Sequence, residues 1–113
     1  MATLDRKPEA GGLDVQLEQE GERVVVRAWG ELDLASASAF EAELRRAIRA
    51  SDFGVVLDLD GVTFIDSTGL NALIAAATLC LTCRRELIML RASAQVKQVI
   101  EMSGLEDLLP LAD

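Results

Sequence analysis

Hydrophobic and polar residues alternate where the patterned part of the chain begins. From Leu13 to Glu18 aliphatic side chains take every second position, which is the period of a half-buried strand. A turn at Glu20-Gly21 leads into a second, valine-rich segment, Arg23–Gly30. Two strands joined by so short a turn usually pair with each other. We therefore expect an antiparallel β-hairpin here.

Helical and strand patterns alternate in the rest of the chain. Apolar residues recur at helical spacing from Ala37 to Ala50, and the segment Val55–Leu59 is almost entirely aliphatic, as in a buried parallel strand. The pattern then predicts a helix from Ser67 to Cys83, a strand from Glu86 to Arg91, a helix from Ser93 to Ser103 and a short apolar element from Leu105 to Leu111. A strand, a helix and a strand in succession form a parallel pair. We expect an α/β fold, with a mixed β-sheet of four to five strands and helices packed on it.

The length and composition fit one domain with an aliphatic core. The chain has 113 residues, of which 50% are hydrophobic and only 4% aromatic. Residues 1–12 are polar, carry Pro8, Gly11 and Gly12, and show no apolar period. We therefore predict a flexible tail over residues 1–12 and a folded domain over residues 13–113.

The net charge narrows the range of partners and locations. A charge of −8 disfavours binding to nucleic acid and to anionic membrane surfaces. The first residues lack the apolar stretch of a signal peptide, and no segment is long enough to span a bilayer comfortably. We expect a cytoplasmic protein.

Two cysteines, Cys80 and Cys83, form a C-x-x-C pair, and the chain has no histidine. A structural zinc site needs four Cys or His ligands, so we expect no metal and no cofactor. A redox pair needs a thiolate favoured by a helix N-terminus, whereas these residues fall late in a predicted helix. We favour inert, packed thiols, with a redox role as the alternative.

Ser67 stands where a loop enters the second predicted helix. A serine at this point is a good N-cap, because its oxygen can accept a hydrogen bond from a free backbone N–H. A helix N-terminus also tolerates a phosphate, so phosphorylation there need not unfold the domain. The residues alone therefore leave two interpretations open, a helix cap and a phosphorylation site.

The helix that follows Ser67 contains no charged residue as far as Cys83. An ordinary surface helix carries charges on its outer face. We expect one face to cover the sheet (Leu70, Leu73, Ile74, Ala77 and Leu81) and the other to point outward (Asn71, Ala72, Ala75, Thr78 and Thr82). The outward face is then either a docking surface or a surface covered by other parts of the same chain.

Three segments carry a family resemblance: GELDLASA at residues 30–37, VVLDLDGVTFIDSTGLNALI at residues 55–74 and VIEMSGLEDLLPL at residues 99–111. Over nearly its whole length after the tail, the chain resembles a single STAS domain of the bacterial anti-sigma factor antagonist class. The middle segment is the most specific, since few other folds combine an aliphatic strand, a Gly-Val pair and Asp-Ser-Thr-Gly-Leu at a helix start.

The resemblance implies a phosphoprotein that regulates transcription by partner switching. Such an antagonist binds an anti-sigma factor that is also a serine kinase, and so releases the sigma factor. Phosphorylation of the motif serine, here Ser67, ends the binding, and a metal-dependent serine phosphatase restores it. The resemblance places Asp33 beside Ser67, and it implies partner contacts at Asp33, Asp66, Ser67, Thr68, Gly69, Leu70 and Asn71.

Two alternative functions are a subunit of another assembly and an enzyme. The same fold also serves in stress signalling complexes and as an accessory subunit of lipid-transport ATPases, and the sequence does not exclude either. An enzyme that uses Ser67 as a nucleophile needs a base, yet there is no histidine and the only lysines are Lys7 and Lys97. We therefore predict no catalytic residues.

Two departures from the family pattern lie away from the motif. The turn after the second helix is Arg84-Arg85-Glu86, where relatives often have glycine. The third helix opens with Ser93-Ala94-Gln95, where relatives often have proline.

Overall fold

A computed structural model describes residues 12–112 of the chain. Within this range the strands are β1 (Leu13–Glu20), β2 (Arg23–Leu32), β3 (Gly54–Ile65) and β4 (Glu86–Ala92). The helices are α1 (Ala37–Ala50), α2 (Ser67–Cys83) and α3 (Ala94–Met102). The predicted tail, except for Gly12, lies outside the described residues.

The strands form one mixed sheet in the order β1-β2-β3-β4. β1 pairs with β2 in the antiparallel sense, which confirms the predicted hairpin. β3 lies parallel to both β2 and β4, and the second of these pairings confirms the predicted parallel pair. The predicted element at Leu105–Leu111 joins the sheet only through an isolated bridge between Leu111 and Met89, while Leu109 is buried in the core.

β3 is much longer than the predicted strand Val55–Leu59, because it continues to Ile65. Its second half pairs with the end of β2, where Trp29 lies opposite Gly61 and Leu32 lies opposite Ile65. Two register shifts accompany this pairing, and at each of them the extra residue lies in β3. Such irregularities break the simple alternation of side chains that reveals a strand. The extension delivers the chain to Asp66 beside the end of β2.

Side chains from one face of the sheet join those of all three described helices in one core. Val26 of β2, Leu57 of β3, Leu44 of α1 and Leu73 of α2 are each 0% exposed. Val96 of α3 completes this layer and is also fully buried. Burial of a Leu or Val side chain stabilises the folded state by roughly 1.5–3 kcal/mol, so these contacts hold the helices on the sheet.

α2 packs against α1 as well as against the sheet, so more of its surface is buried than the sequence pattern indicated. Leu70, Leu73 and Ala77 are buried as predicted, but Ala72 is only 1% exposed although it was expected to face outward. Leu81, expected to cover the sheet, is 70% exposed. Burial within the chain therefore explains part of the missing charge on α2.

An ion-pair ladder crosses the opposite face of the sheet, with one residue from each strand. Arg27 bonds Glu18 at 2.9 Å and lies 3.7 Å from Asp58, and Arg91 donates to Asp58 at 2.8 Å. The Asp58 side chain is only 7% exposed, so its charge must be compensated by neighbours. The hydrogen bond to Asp58 and its charge raise the pKa of Arg91 above its ordinary value.

The end of α2 accounts for both cysteines and for the first departure from the family pattern. Cys80 is buried and Cys83 half-buried, as predicted for packed thiols. Burial is the main cause that raises the pKa of Cys80 to about 11, so this thiol stays protonated at neutral pH. Arg84 ends the helix with φ 57° and ψ 46°, a left-handed conformation that favours glycine.

Candidate functional site

The ends of β2 and β3 meet at one edge of the molecule. Leu32 and Ile65 are paired, and the next backbone N–H, that of Asp66, donates to the Leu32 carbonyl at 3.3 Å. Asp33 follows Leu32, and α2 begins directly after Asp66. The predicted partner-contact residues therefore come together at this edge, in the loop after β2 and in the first turns of α2.

Asp66, rather than Ser67, is the N-cap of α2. Its Oδ1 accepts a hydrogen bond from the Gly69 backbone N–H at 3.0 Å, and its own backbone is extended. Ser67 is the first residue of the helix, so the interpretation of Ser67 as a capping residue is wrong. Aspartate and serine cap helices about equally well, and the register of β3 places Asp66 at the last extended position.

The Ser67 side chain is exposed, and among residues 12–112 no hydrogen bond engages its hydroxyl. Thr68 is half-buried and Asn71 is exposed, whereas Gly69 and Leu70 are buried. The start of α2 thus presents uncharged polar groups to solvent, and its next two residues hold the helix against the body of the domain.

Gly69 explains how closely α2 approaches the end of β2. A Cβ added at this position would lie 2.4 Å from the Leu32 carbonyl oxygen and 2.7 Å from Leu32 Cγ. Leu32 is 0% exposed and fixed in the sheet, so it has little room to move away. Only glycine permits this approach, which fixes the position of Ser67 relative to β2.

Gln95 at the start of α3 also supports the segment before Ser67. Its Oε1 accepts a hydrogen bond from the Ile65 backbone N–H at 2.8 Å. Ser93 caps α3 by accepting from Val96 N–H at 3.3 Å. The departure from the family pattern at residues 93–95 therefore supplies a cap and a contact to the end of β3. Sequence reasoning missed Gln95 because nothing local links it to Ile65.

Side-chain hydrogen bonds fix the loop between β2 and α1. Asp33 Oδ1 accepts from the Ala35 backbone N–H at 3.1 Å. Ser36 Oγ accepts from the Asp33 backbone N–H at 3.1 Å and donates to the Glu31 carbonyl at 2.7 Å. Ser36 occupies the N-cap position of α1 but makes no capping hydrogen bond, so the Asp33 and Ser36 side chains shape the loop instead.

This edge of the molecule is acidic, and among the described residues it carries no ion pair. Glu31, Asp33 and Asp66 make no salt bridge within the described range, where the observed pairs lie on the sheet face and on α1. No group of three or more His, Cys, Asp or Glu in residues 12–112 could hold a metal ion. In the same range no helix is long and apolar enough to cross a membrane. The site offers an accessible hydroxyl in an acidic setting.

A known protein family and two known relatives are similar to this chain in sequence. A family profile described as STAS domain matches residues 14–113. BtrV of Bordetella bronchiseptica is 31% identical over 84 residues, which are 74% of this chain and 72% of the relative. The anti-sigma F factor antagonist of Paenibacillus polymyxa is 29% identical over 104 residues, which are 89% of each chain.

A solved structure extends the similarity to three dimensions. The anti-sigma factor antagonist SpoIIAA in its unphosphorylated form superposes with a TM-score of 0.73 at 26% identity, over 88% of this chain and 89% of that one. The phosphorylated form of SpoIIAA, from Bacillus, gives a TM-score of 0.69 at 25% identity, over 88% of this chain and 92% of that one.

Proposed function

The chain belongs to the STAS domain family, and on this premise we propose that it is an anti-sigma factor antagonist that works by partner switching. In its unphosphorylated form it binds an anti-sigma factor that is also a serine kinase, and the sigma factor is released. Phosphorylation of Ser67 ends this binding, and a metal-dependent serine phosphatase restores it. The chain is thus a substrate and a binding protein rather than an enzyme.

The state of the Ser67 hydroxyl is the observation that carries the proposal. A serine that receives a phosphoryl group must be exposed, and its hydroxyl must not already be engaged in the structure. Ser67 is exposed and has no hydrogen bond in the described part of the chain, because Asp66 provides the helix cap. This division of roles separates the helix cap from the phosphorylation site.

The solved forms of SpoIIAA support the second half of the cycle. That protein exists in phosphorylated and unphosphorylated forms, and both superpose on this chain. A phosphate on Ser67 would stand at a helix N-terminus, where free N–H groups and the helix dipole favour an anion. We therefore expect the phosphorylated domain to stay folded, so that phosphorylation acts on binding rather than on stability.

The free-energy cost of enclosing one phosphate in the interface is large enough to end binding. A phosphoserine adds roughly −1.5 to −2 charges at neutral pH. Enclosing such an anion in an interface without a matched cation costs several kcal/mol, whereas a hundredfold loss of affinity needs only about 2.7 kcal/mol. A local change at Ser67 can thus abolish binding without a conformational change.

The residues around Ser67 divide into two groups in this proposal. Asp33, Thr68 and Asn71 are at least partly exposed and contact the partner directly, together with Asp66. The buried pair Gly69 and Leu70, which the family resemblance also assigns to the partner interface, positions the start of α2.

Substitution of Ser67 tests the proposal. Ser67→Ala should bind the anti-sigma kinase constitutively, even after incubation with ATP, and Ser67→Glu should bind it poorly because it carries a charge where the partner sits. Ser103→Glu is a matched control, since it adds the same charge at an exposed serine that ends α3. Binding is measured with purified proteins by interferometry. Equal binding by Ser67→Ala and Ser67→Glu would show the proposal to be wrong.

A further inference from the structure

Leu34 is an exposed apolar residue in the loop between β2 and α1. It is 77% exposed, whereas the preceding leucine, Leu32, is fully buried. A single exposed leucine is unremarkable on a surface. The position of Leu34, directly after Asp33 at the edge that carries Ser67, makes it relevant to binding.

Hydrogen bonds fix the loop backbone on both sides of Leu34. The Asp33 and Ser36 side chains bond to the backbone on both sides of Leu34, and the Ala37 backbone N–H donates to the Asp33 carbonyl at 2.8 Å. A preformed loop loses little conformational entropy when it binds, so the full benefit of burying its apolar side chain is available to the complex. These hydrogen bonds leave the Leu34 side chain facing solvent.

The surroundings of Leu34 indicate what kind of surface it fits. Phe64, which pairs with Glu31 across the strands, is a second exposed apolar residue at this edge, 42% exposed. Glu31 is paired with Phe64, Asp33 directly precedes Leu34 and Asp66 follows Phe64 by two residues. None of these three acids forms an ion pair within residues 12–112. An apolar centre with an acidic rim complements an apolar recess with a basic rim.

We infer that Leu34 is the apolar anchor by which the serine-kinase anti-sigma factor holds this chain, and that the partner offers an apolar recess bordered by Lys or Arg. This inference rests on the proposed function, because it names how that partner recognises the site. Leu34 lies at the same edge as Ser67, since the Asp66 N–H donates to the Leu32 carbonyl and Leu34 follows Leu32 by two residues. The acidic rim steers the encounter, and the anchor determines how long the complex lasts.

The anchor also explains why a phosphate on Ser67 is so effective. A buried anchor needs close contact between the two surfaces around it. A phosphate on the neighbouring helix start is bulky and strongly hydrated, so it must either lose its water or hold the surfaces apart. In the second case the Leu34 contact is lost together with the contacts of Ser67.

Leu34→Ser tests the inference, with Leu81→Ser as a matched control. Both leucines are highly exposed, 77% and 70%, so neither substitution should change the stability of the fold. Leu81 lies in the last turn of α2, far along the helix from Ser67. Association and dissociation rates are measured by interferometry with the purified anti-sigma kinase, and circular dichroism checks that both variants are folded.

Leu34→Ser should weaken binding by at least about 30-fold, mainly through faster dissociation, as for a central anchor residue. Asp33→Asn should instead slow association and reduce its dependence on salt, as for a rim charge. Leu81→Ser should bind like the wild-type chain. Equal binding by Leu34→Ser and Leu81→Ser, with wild-type binding intact, overturns the anchor and leaves the proposed function standing. Failure of the wild-type chain to bind overturns both.

Discussion

Substitution of Asp66 tests whether Asp66, and not Ser67, caps the start of α2. Asp66→Ala removes the acceptor for the Gly69 N–H, a hydrogen bond of 3.0 Å. Loss of an N-cap costs about 1 kcal/mol, and burial of Gly69 raises this to about 1–2 kcal/mol because water reaches the unpaired N–H poorly. For a domain of this size the melting temperature should fall by about 4–8 °C.

Two further variants make the Asp66 prediction specific. Asp66→Asn keeps a hydrogen-bond acceptor, so its free energy of unfolding should fall by only about 0.5 kcal/mol. The remaining decrease reflects the weaker interaction of a neutral side chain with the helix dipole. Ser67→Ala should leave stability unchanged, because Ser67 makes no capping bond. Urea unfolding followed by circular dichroism measures all three. The reasoning fails if Ser67→Ala is as destabilising as Asp66→Ala.

Two predictions concern the far end of α2. Arg84→Gly should raise the free energy of unfolding by about 1 kcal/mol, because Arg84 is the one non-glycine residue of the described range with positive φ. Urea unfolding measures this difference, and equal stability of Arg84→Gly and the wild-type chain would show that the backbone of Arg84 is not strained. Burial, aided by Cys83, raises the pKa of Cys80 from 9.0 to about 11, so the folded chain binds more protons than the unfolded chain above pH 9. The free energy of unfolding should therefore fall by about 2 kcal/mol as the pH rises from 9 to 11, and Cys80→Ala should lack this part of the decline.

Most of the fold could be predicted from the spacing of hydrophobic residues along the sequence. The hairpin and the β3-α2-β4 unit could be predicted because each of their elements faces the core with one side. Its hydrophobic residues therefore recur at the regular spacing of a strand or a helix. The second half of β3 could not be predicted, since the register shifts opposite β2 break its alternation. The burial of Ala72 depends on contact between α1 and α2, which the local pattern of α2 does not contain.

The candidate site was predicted less completely. The motif at residues 66–70 located the start of α2, but it did not decide between Asp66 and Ser67 as the cap. That choice depends on where β3 ends, which is a property of strand pairing. Gln95 and Leu34 were missed for different reasons. The first acts over 30 residues of sequence, and the second is distinguished by its exposure, which no sequence pattern reveals.

Comparison of the phosphorylated and unphosphorylated chain tests the central claim most directly. The wild-type protein is incubated with ATP and the proposed anti-sigma kinase, and mass spectrometry locates any phosphate. Calorimetry then measures the affinity of the phosphorylated and unphosphorylated forms for the kinase. We predict phosphate on Ser67 and a loss of affinity of at least about a hundredfold, equivalent to about 2.7 kcal/mol. Phosphate found only at Thr68 or elsewhere, or equal affinity of the two forms, would contradict the account.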